Sequence, residues 1–219
     1  EISDIVFDPK LMNSLAENKD PRLEQTMWAP NKGRFYDYMP TIQNAHKTSY
    51  PGLIQNQQRR PAYTGYRIWK GVSFDADEFD NGEVDDLIIR YEEGLLNYAE
   101  AKAILGTITQ EDLNRSINYI RARVDMPGMV LSDINSWNIM YDKRNGYDPS
   151  AANIVNEIRR ERRVELMLEG LRLMDIKRWA MFDDVFNGWK PVGAHAQEYL
   201  DYWNDEEKLK EDGFDWKKP

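Results

Sequence analysis

The stretch from Glu161 to Trp179, ERRVELMLEGLRLMDIKRW, constrains this chain more than any other. Ile154, Ile158, Glu161, Glu165 and Leu168 fall at i, +4, +7, +11 and +14, which is one face of a helix. Two carboxylates therefore interrupt an apolar stripe. A buried carboxylate is costly unless a cation and hydrogen bonds meet it. Any fold of this chain must bring cations to that face. Residues 150–187 hold seven acidic and seven basic residues, so the segment is able to neutralise itself. Glu161, Glu165, Glu169 and Asp175 supply the acids. Arg172, Arg162 and Arg178 pair locally, and Arg121 and Arg123 arrive from an earlier helix.

Two other segments carry a helical period. Over 85–105, Ile88, Tyr91, Leu95 and Tyr98 form a stripe that Leu96, Ala99 and Ala103 widen, and Gly106 supplies a stop. Glu83, Asp85 and Asp86 stand where a helix dipole favours negative charge. The next helix starts at Thr109, with Asp112 completing a pattern like a capping box. Its stripe is Leu113, Ile117, Ile120 and Val124, and Pro127-Gly128 ends it. The connection between the two is short, which predicts an antiparallel hairpin. Asp148-Pro149 opens a helix running to about Gly170, and Leu171 to Phe186 continues as another.

The rest is irregular. Residues 1–84 carry frequent Pro and Gly, with a short helix expected over Pro9 to Glu17 and a strand over Tyr66 to Phe74. A loop of about twenty residues is expected from Met129 to Asp148. Residues 188–219 read as a loop and an acidic tail, with at most a short helix near Ala196 to Trp203. The division is thus 1–84 irregular and aromatic-rich, 85–187 a helical core, and 188–219 loop and tail. The fold class is mainly α, with helical hairpins, long irregular loops and little β.

Composition removes several functions. The net charge of −9 disfavours nucleic-acid binding, which needs a basic footprint. The absence of Cys excludes a disulfide framework, a thiol nucleophile and thiolate metal sites. No apolar run approaches the length of a membrane span. His46 and His195 stand far apart, so no Glu-x-x-His pair is available for a di-iron site. Asp75, Asp77, Glu78 and Asp80 suggest a calcium loop, but Asp80 occupies the required glycine position and the motif fails. No metal site and no cofactor are expected, with incidental calcium as the minority reading.

The aromatic residues carry the functional signal. Nine of the twelve Tyr and six of the seven Trp lie outside the three helical patterns. A sugar ring offers apolar C–H faces and a hydroxyl rim. Flat side chains stack on the faces, and amides, carboxylates and guanidiniums bond the rim. The run from Trp28 to Tyr38 supplies both kinds within eleven residues, as do Trp137, Asn138, Tyr141 and Asp142. The bland alternative is that each ring buries under its own loop. Trp28, Tyr36, Tyr38, Trp137 and Tyr141 are the candidate ligand contacts.

Three motifs together resemble the SusD/RagB family of outer-membrane nutrient-binding lipoproteins. They are Ile89 to Ala103 (IRYEEGLLNYAEAKA), Leu113 to Arg123 (LNRSINYIRAR) and the Glu161–Trp179 stretch. Asp20-Pro21-Arg22 and Thr64-Gly65-Tyr66 match smaller landmarks. The order and spacing of the three make the resemblance specific. It implies a tetratricopeptide-like helical architecture and a non-enzymatic role. It further implies binding of an oligosaccharide, or of a peptide as in some relatives, at the cell surface. Delivery to a SusC-like TonB-dependent transporter in the outer membrane follows from the same resemblance. The match corresponds to the C-terminal part of such proteins, so the expectation is a partner N-terminal portion with the lipid anchor upstream of Glu1. The rival readings are a peptide- or protein-docking helical module and a hydrolase built on a carboxylate pair.

Overall fold

The computed structural model describes residues 19–28, 67–68, 70–71, 87–136 and 146–188. The chain divides into two compact units, Glu1–Asp85 with Pro191–Pro219, and Asp86–Lys190. The expected helices at 9–17 and 196–203 and the residue Trp69 lie outside the described residues.

In the first unit, Asp20-Pro21-Arg22 starts a short helix, α1 (Arg22–Thr26). Asp20 accepts from the Arg22 backbone N–H at 3.0 Å and from its guanidinium at 2.9 and 2.6 Å. One carboxylate thus satisfies an orphan N–H of the first turn and a buried cation together. Strand β1 (Met27–Trp28) follows directly and pairs antiparallel with β2 (Arg67–Ile68), Trp28 opposite Arg67. Lys70 and Gly71 form a turn, so the expected strand stops short of them.

The second unit is helical: α2 (Tyr91–Ile104), α3 (Gln110–Arg115), α4 (Ile117–Ala122), α5 (Leu131–Ser136), α6 (Asn153–Glu165), α7 (Arg172–Arg178) and α8 (Phe182–Phe186). Helix α2 packs chiefly on α6, and also on α3 and α4 as the predicted hairpin. Thr109 caps α3 through a reciprocal capping box with Asp112. Gly106, at φ 68°, ends the preceding turn in the left-handed region that glycine tolerates.

The stripe Leu113, Ile117, Ile120 and Val124 is buried as its period predicts. The α2 stripe is not. Ile88 and Tyr91 are 90% and 69% exposed, whereas Leu96, Ala99, Glu100 and Ala103 are buried. Helix α2 carries apolar residues on two faces, and Leu96, Ala99 and Ala103 are the ones that join the core. The helix also begins at Tyr91, not at 85. The core joins Leu96, Ala99, Ala103, Leu113, Ile117 and Ile120 to Met129, Ile134, Ile154, Val155, Ile158 and Leu166. Each fully buried aliphatic side chain here contributes about 1.5–3 kcal/mol.

Further expectations are corrected. The long loop from Met129 holds a helix, α5, anchored by the fully buried Ile134. Asp148 does not open a helix but a turn, accepting from Ser150 N–H and Oγ at 2.9 and 2.6 Å, and α6 starts at Asn153. Helix α6 ends at Glu165, so Leu168, at φ 68°, leaves the stripe and is half exposed. The helix expected over 171–186 is two, separated by Ala180 at φ 54°, and Ser116 similarly divides α3 from α4.

Side-chain amides hold the connections. Asn118 accepts from Met129 N–H at 2.5 Å and donates to Met129 O at 3.0 Å. Gln110 donates to Met129 O and accepts from Leu131 N–H at 2.9 and 2.8 Å. An amide offers one donor and one acceptor edge, as a neighbouring strand would, so it satisfies an extended backbone that has no ladder partner.

Candidate functional site

The carboxylates of the Glu161–Trp179 stretch meet cations from several helices. Glu161, fully buried on α6, accepts from Arg121 of α4 at 2.9 Å. Arg121 also donates to Pro127 O at 2.6 Å, which ties the end of the hairpin to the same guanidinium. Glu165 accepts from Arg123 at 2.8 and 3.0 Å and from Arg90 at 3.0 Å. Glu169 holds Arg90 through both oxygens at 2.9 and 2.7 Å. Burial opposes the Arg90 charge, but its hydrogen bonds to Glu169 and Glu165 outweigh it and raise the guanidinium above its ordinary value.

A second cluster lies between α2, α6 and α7. Asp175 accepts Arg162 Nε on both oxygens at 2.9 Å and Arg178 Nε at 2.9 Å. Arg178 reaches on to Glu100 of α2 with two bonds of 2.8 and 2.5 Å. Trp179 donates its indole N–H to the same Glu100 at 2.6 Å. The Trp179 ring lies among three guanidiniums, with Arg178, Arg159 and Arg172 at 4.8, 4.9 and 5.6 Å from its centre. Such stacking keeps part of a cation's favourable electrostatics where water is excluded. Arg159 is drawn below its ordinary value by burial, which Glu100 and Asp148, each 3.8 Å away, partly offset.

All nine predicted seam residues therefore lie in or beside these clusters, with Arg172 placed against the ring of Trp179. Sequence reasoning missed Glu100, Arg90, Asn97 and Arg159. Glu100 is a polar residue beside Ala99, at the edge of the apolar stripe, so the stripe did not flag it. Chemically the arrangement is closed. Glu161, Glu165, Asp175 and Glu100 are each at most 3% exposed, so no substrate reaches them for proton transfer. Among the described residues no group of three His, Asp or Glu is placed to hold a metal ion.

The candidate ligand contacts have a different standing. Trp28 belongs to β1 through its backbone, opposite Arg67. Its side chain and the residues Tyr36, Tyr38, Trp137 and Tyr141 lie outside the described residues. Trp28, Tyr36 and Tyr38 belong to the first unit, Trp137 and Tyr141 to the second. The chain leaves the described structure at Ser136 and returns at Gly146, so the ends of the segment holding Trp137 and Tyr141 are both defined.

The sequence profile of the SusD family matches residues 6–216, nearly the whole chain. The chain belongs to the SusD family. No curated protein and no solved structure gives a match. SusD proteins are known for glycan binding and nutrient uptake alongside SusC-like transporters, and they are generally non-catalytic proteins of the outer-membrane surface. The mainly helical architecture agrees with that family's fold. Among the described residues of this SusD-family protein, no helix is long and apolar enough to cross a membrane.

Proposed function

We propose that this SusD-family protein binds oligosaccharides at the outer face of the outer membrane and passes them to a partner TonB-dependent transporter, without chemistry of its own. The family match over residues 6–216 carries the reading. The burial of Glu161, Glu165 and Asp175 and their pairing with arginines support it, because these are the carboxylates on which the rival hydrolase reading rests. Binding rests on rings: Trp28, Tyr36, Tyr38, Trp137 and Tyr141 stack on sugar faces, and polar neighbours such as Asn138 and Asp142 bond the hydroxyls. The short ladder between β1 and β2 supports a role for Trp28, since it fixes the backbone from which the aromatic run departs.

Affinity electrophoresis in gels containing amylopectin, xylan or galactomannan tests the proposal. At least one polysaccharide is expected to retard the protein. Trp137→Ala and Tyr141→Ala are expected to weaken that retardation about tenfold each, with glycan chain length unchanged in the assay. Absence of retardation on all three, together with saturable binding of a peptide library, refutes the glycan reading in favour of peptide docking. Release of reducing sugar refutes the non-catalytic part.

A further inference from the structure

The hairpin of α2 with α3 and α4 carries a group of tyrosines that its core does not use. Tyr91 and Tyr98 stand seven residues apart on α2, so they share a helical face at about 10 Å along its axis. Tyr119 comes from α4 and meets Tyr91 edge to face, with ring centres 6.2 Å apart and planes at 88°. Tyr91 is 69% exposed, Tyr119 62% and Tyr98 43%. Leu96, Ala99, Leu113, Ile117 and Ile120 already close the core of the hairpin. A single exposed apolar residue calls for no explanation, but a group of exposed rings marks a contact surface.

The charges around the rings select what that surface contacts. Beside Tyr91, Arg90 pairs with Glu169 at 2.7 Å and with Glu92 at 3.1 Å, and Glu93 lies 3.7 Å from Arg162. On either side of Tyr119 in the chain, Arg115 pairs with Glu111 at 2.6 Å and Arg123 with Glu165 at 2.8 Å. Asp112 accepts from the Tyr98 hydroxyl and lies 3.5 Å from Lys102. These charges are matched within the chain, so a charged partner would have to break existing pairs and an uncharged one would not. A second copy would also bring its own net charge of −9 against the first. An uncharged sugar fits both halves of the surface. Its C–H faces pack on rings, and its hydroxyls bond the tyrosine hydroxyls and the exposed ends of Arg115 and Glu111.

We infer that Tyr91, Tyr98 and Tyr119 form a contact surface for an uncharged oligosaccharide. The inference rests on the proposed function for its ligand class, but it uses none of the residues assigned there.

Nitration of the full chain by tetranitromethane, mapped by mass spectrometry, reads this surface ring by ring. Maltoheptaose, xylohexaose and mannohexaose serve as probes, with sorbitol as the control solute. Near saturation, at least one of the three is expected to slow nitration of both Tyr91 and Tyr119 about fivefold or more, and sorbitol is expected to leave it unchanged. Tyr119 is mostly exposed, so Tyr119→Ala is expected to stay folded and to reduce the protection of Tyr91 at least about threefold. Tyr91→Phe keeps its ring should the alanine variant not fold, and it is expected to leave Tyr119 protected. Full protection of Tyr91 in Tyr119→Ala would overturn the joint surface. Retardation of the parent protein on a polysaccharide, with neither tyrosine protected by any probe, would overturn this surface and leave the proposed function standing. Protection that appears only as protein concentration rises would assign the face to a second copy and overturn the inference. Absence of both retardation and protection would sink the two glycan readings together.

Discussion

Asp175→Asn and Glu165→Gln remove the same charge from two equally buried positions, yet their costs are expected to differ because the cations left behind differ. Asp175 is 3% exposed and Arg162 4%. Once Asp175 is neutral, Arg162 retains Asn97 Oδ1 at 2.8 Å and the more distant Glu93 at 3.7 Å. Removing one partner of a buried pair costs about 3–5 kcal/mol. The asparagine still accepts one hydrogen bond, which restores about 1 kcal/mol. A loss of about 2–4 kcal/mol follows. Glu165 is 2% exposed, but the Arg123 side chain is 44% exposed and Arg90 keeps its fork on Glu169. Those cations find water or another carboxylate, so Glu165→Gln is expected to cost about 1–2 kcal/mol. Urea unfolding followed by far-UV ellipticity reads the difference. With a slope of about 2 kcal/mol/M, the Asp175→Asn midpoint falls by about 1–2 M and the Glu165→Gln midpoint by half that or less. The double variant Arg162→Met/Asp175→Asn removes the stranded cation. It is expected to be at least about 1 kcal/mol more stable than the sum of the single losses. Equal losses in the two single variants, or strict additivity in the double, would refute the reasoning.

Two glycines are expected to respond oppositely to alanine. Gly94 is an exposed interior residue of α2 with nothing near its missing Cβ, so Gly94→Ala should stabilise by about 0.5–1 kcal/mol in the same urea assay. Gly106→Ala should destabilise by about 1 kcal/mol, since φ is 68° there although the space is open. Acid should weaken the fold in part through Asp112 and Asp148. Tyr98 and Thr109 hold Asp112, and Ser150 holds Asp148, below the ordinary carboxylate range. A depressed folded value means the unfolded chain binds the proton more readily. Their contribution is therefore present above the unfolded value near about pH 4 and is lost as pH falls through the folded values. Urea midpoints between pH 6 and pH 2 should show this, and Asp112→Asn should flatten the fall; an unchanged slope in that variant would count against it.

Legibility in the sequence followed the locality of the cause. The Thr109–Asp112 box and the Leu113–Val124 stripe are local, and both are in the structure. The Gly106 stop is equally local. Helix α5 escaped because six residues with one buried anchor, Ile134, cannot display a period. Leu168 was placed on a stripe that ends at Glu165, since nothing local distinguishes a helix that stops there from one that runs on to Gly170. The amide ties of Gln110, Asn118, Asn153 and Asn156 join residues eight to twenty-one positions apart, and pattern reading has no access to them. Among the candidate contacts, ring chemistry singled out residues such as Tyr36 and Trp137, but the direction a ring faces is a tertiary fact that no spacing encodes.

The α2 error explains what the buried charges are for. Burial of apolar area alone separates the faces of α2 poorly, because the exposed Tyr91 and Tyr98 offer as much area as Leu96, Ala99 and Ala103. Polar geometry separates them. With the observed face inward, Glu100 meets Arg178 and the Trp179 indole, and Asn97 meets Arg162. With the other face inward, the buried Arg162 and Trp179 would each lose a partner, at about 1–3 kcal/mol per unsatisfied buried group. That penalty is large beside the difference in apolar area, and it depends on direction where apolar contact does not. Glu100 and Asn97 therefore act in orientation more than in net stability, which is where buried ion pairs contribute least. They fix which face of α2 meets α6, and α6 in turn holds Ile134 and Asp148 on either side of the segment carrying Trp137 and Tyr141.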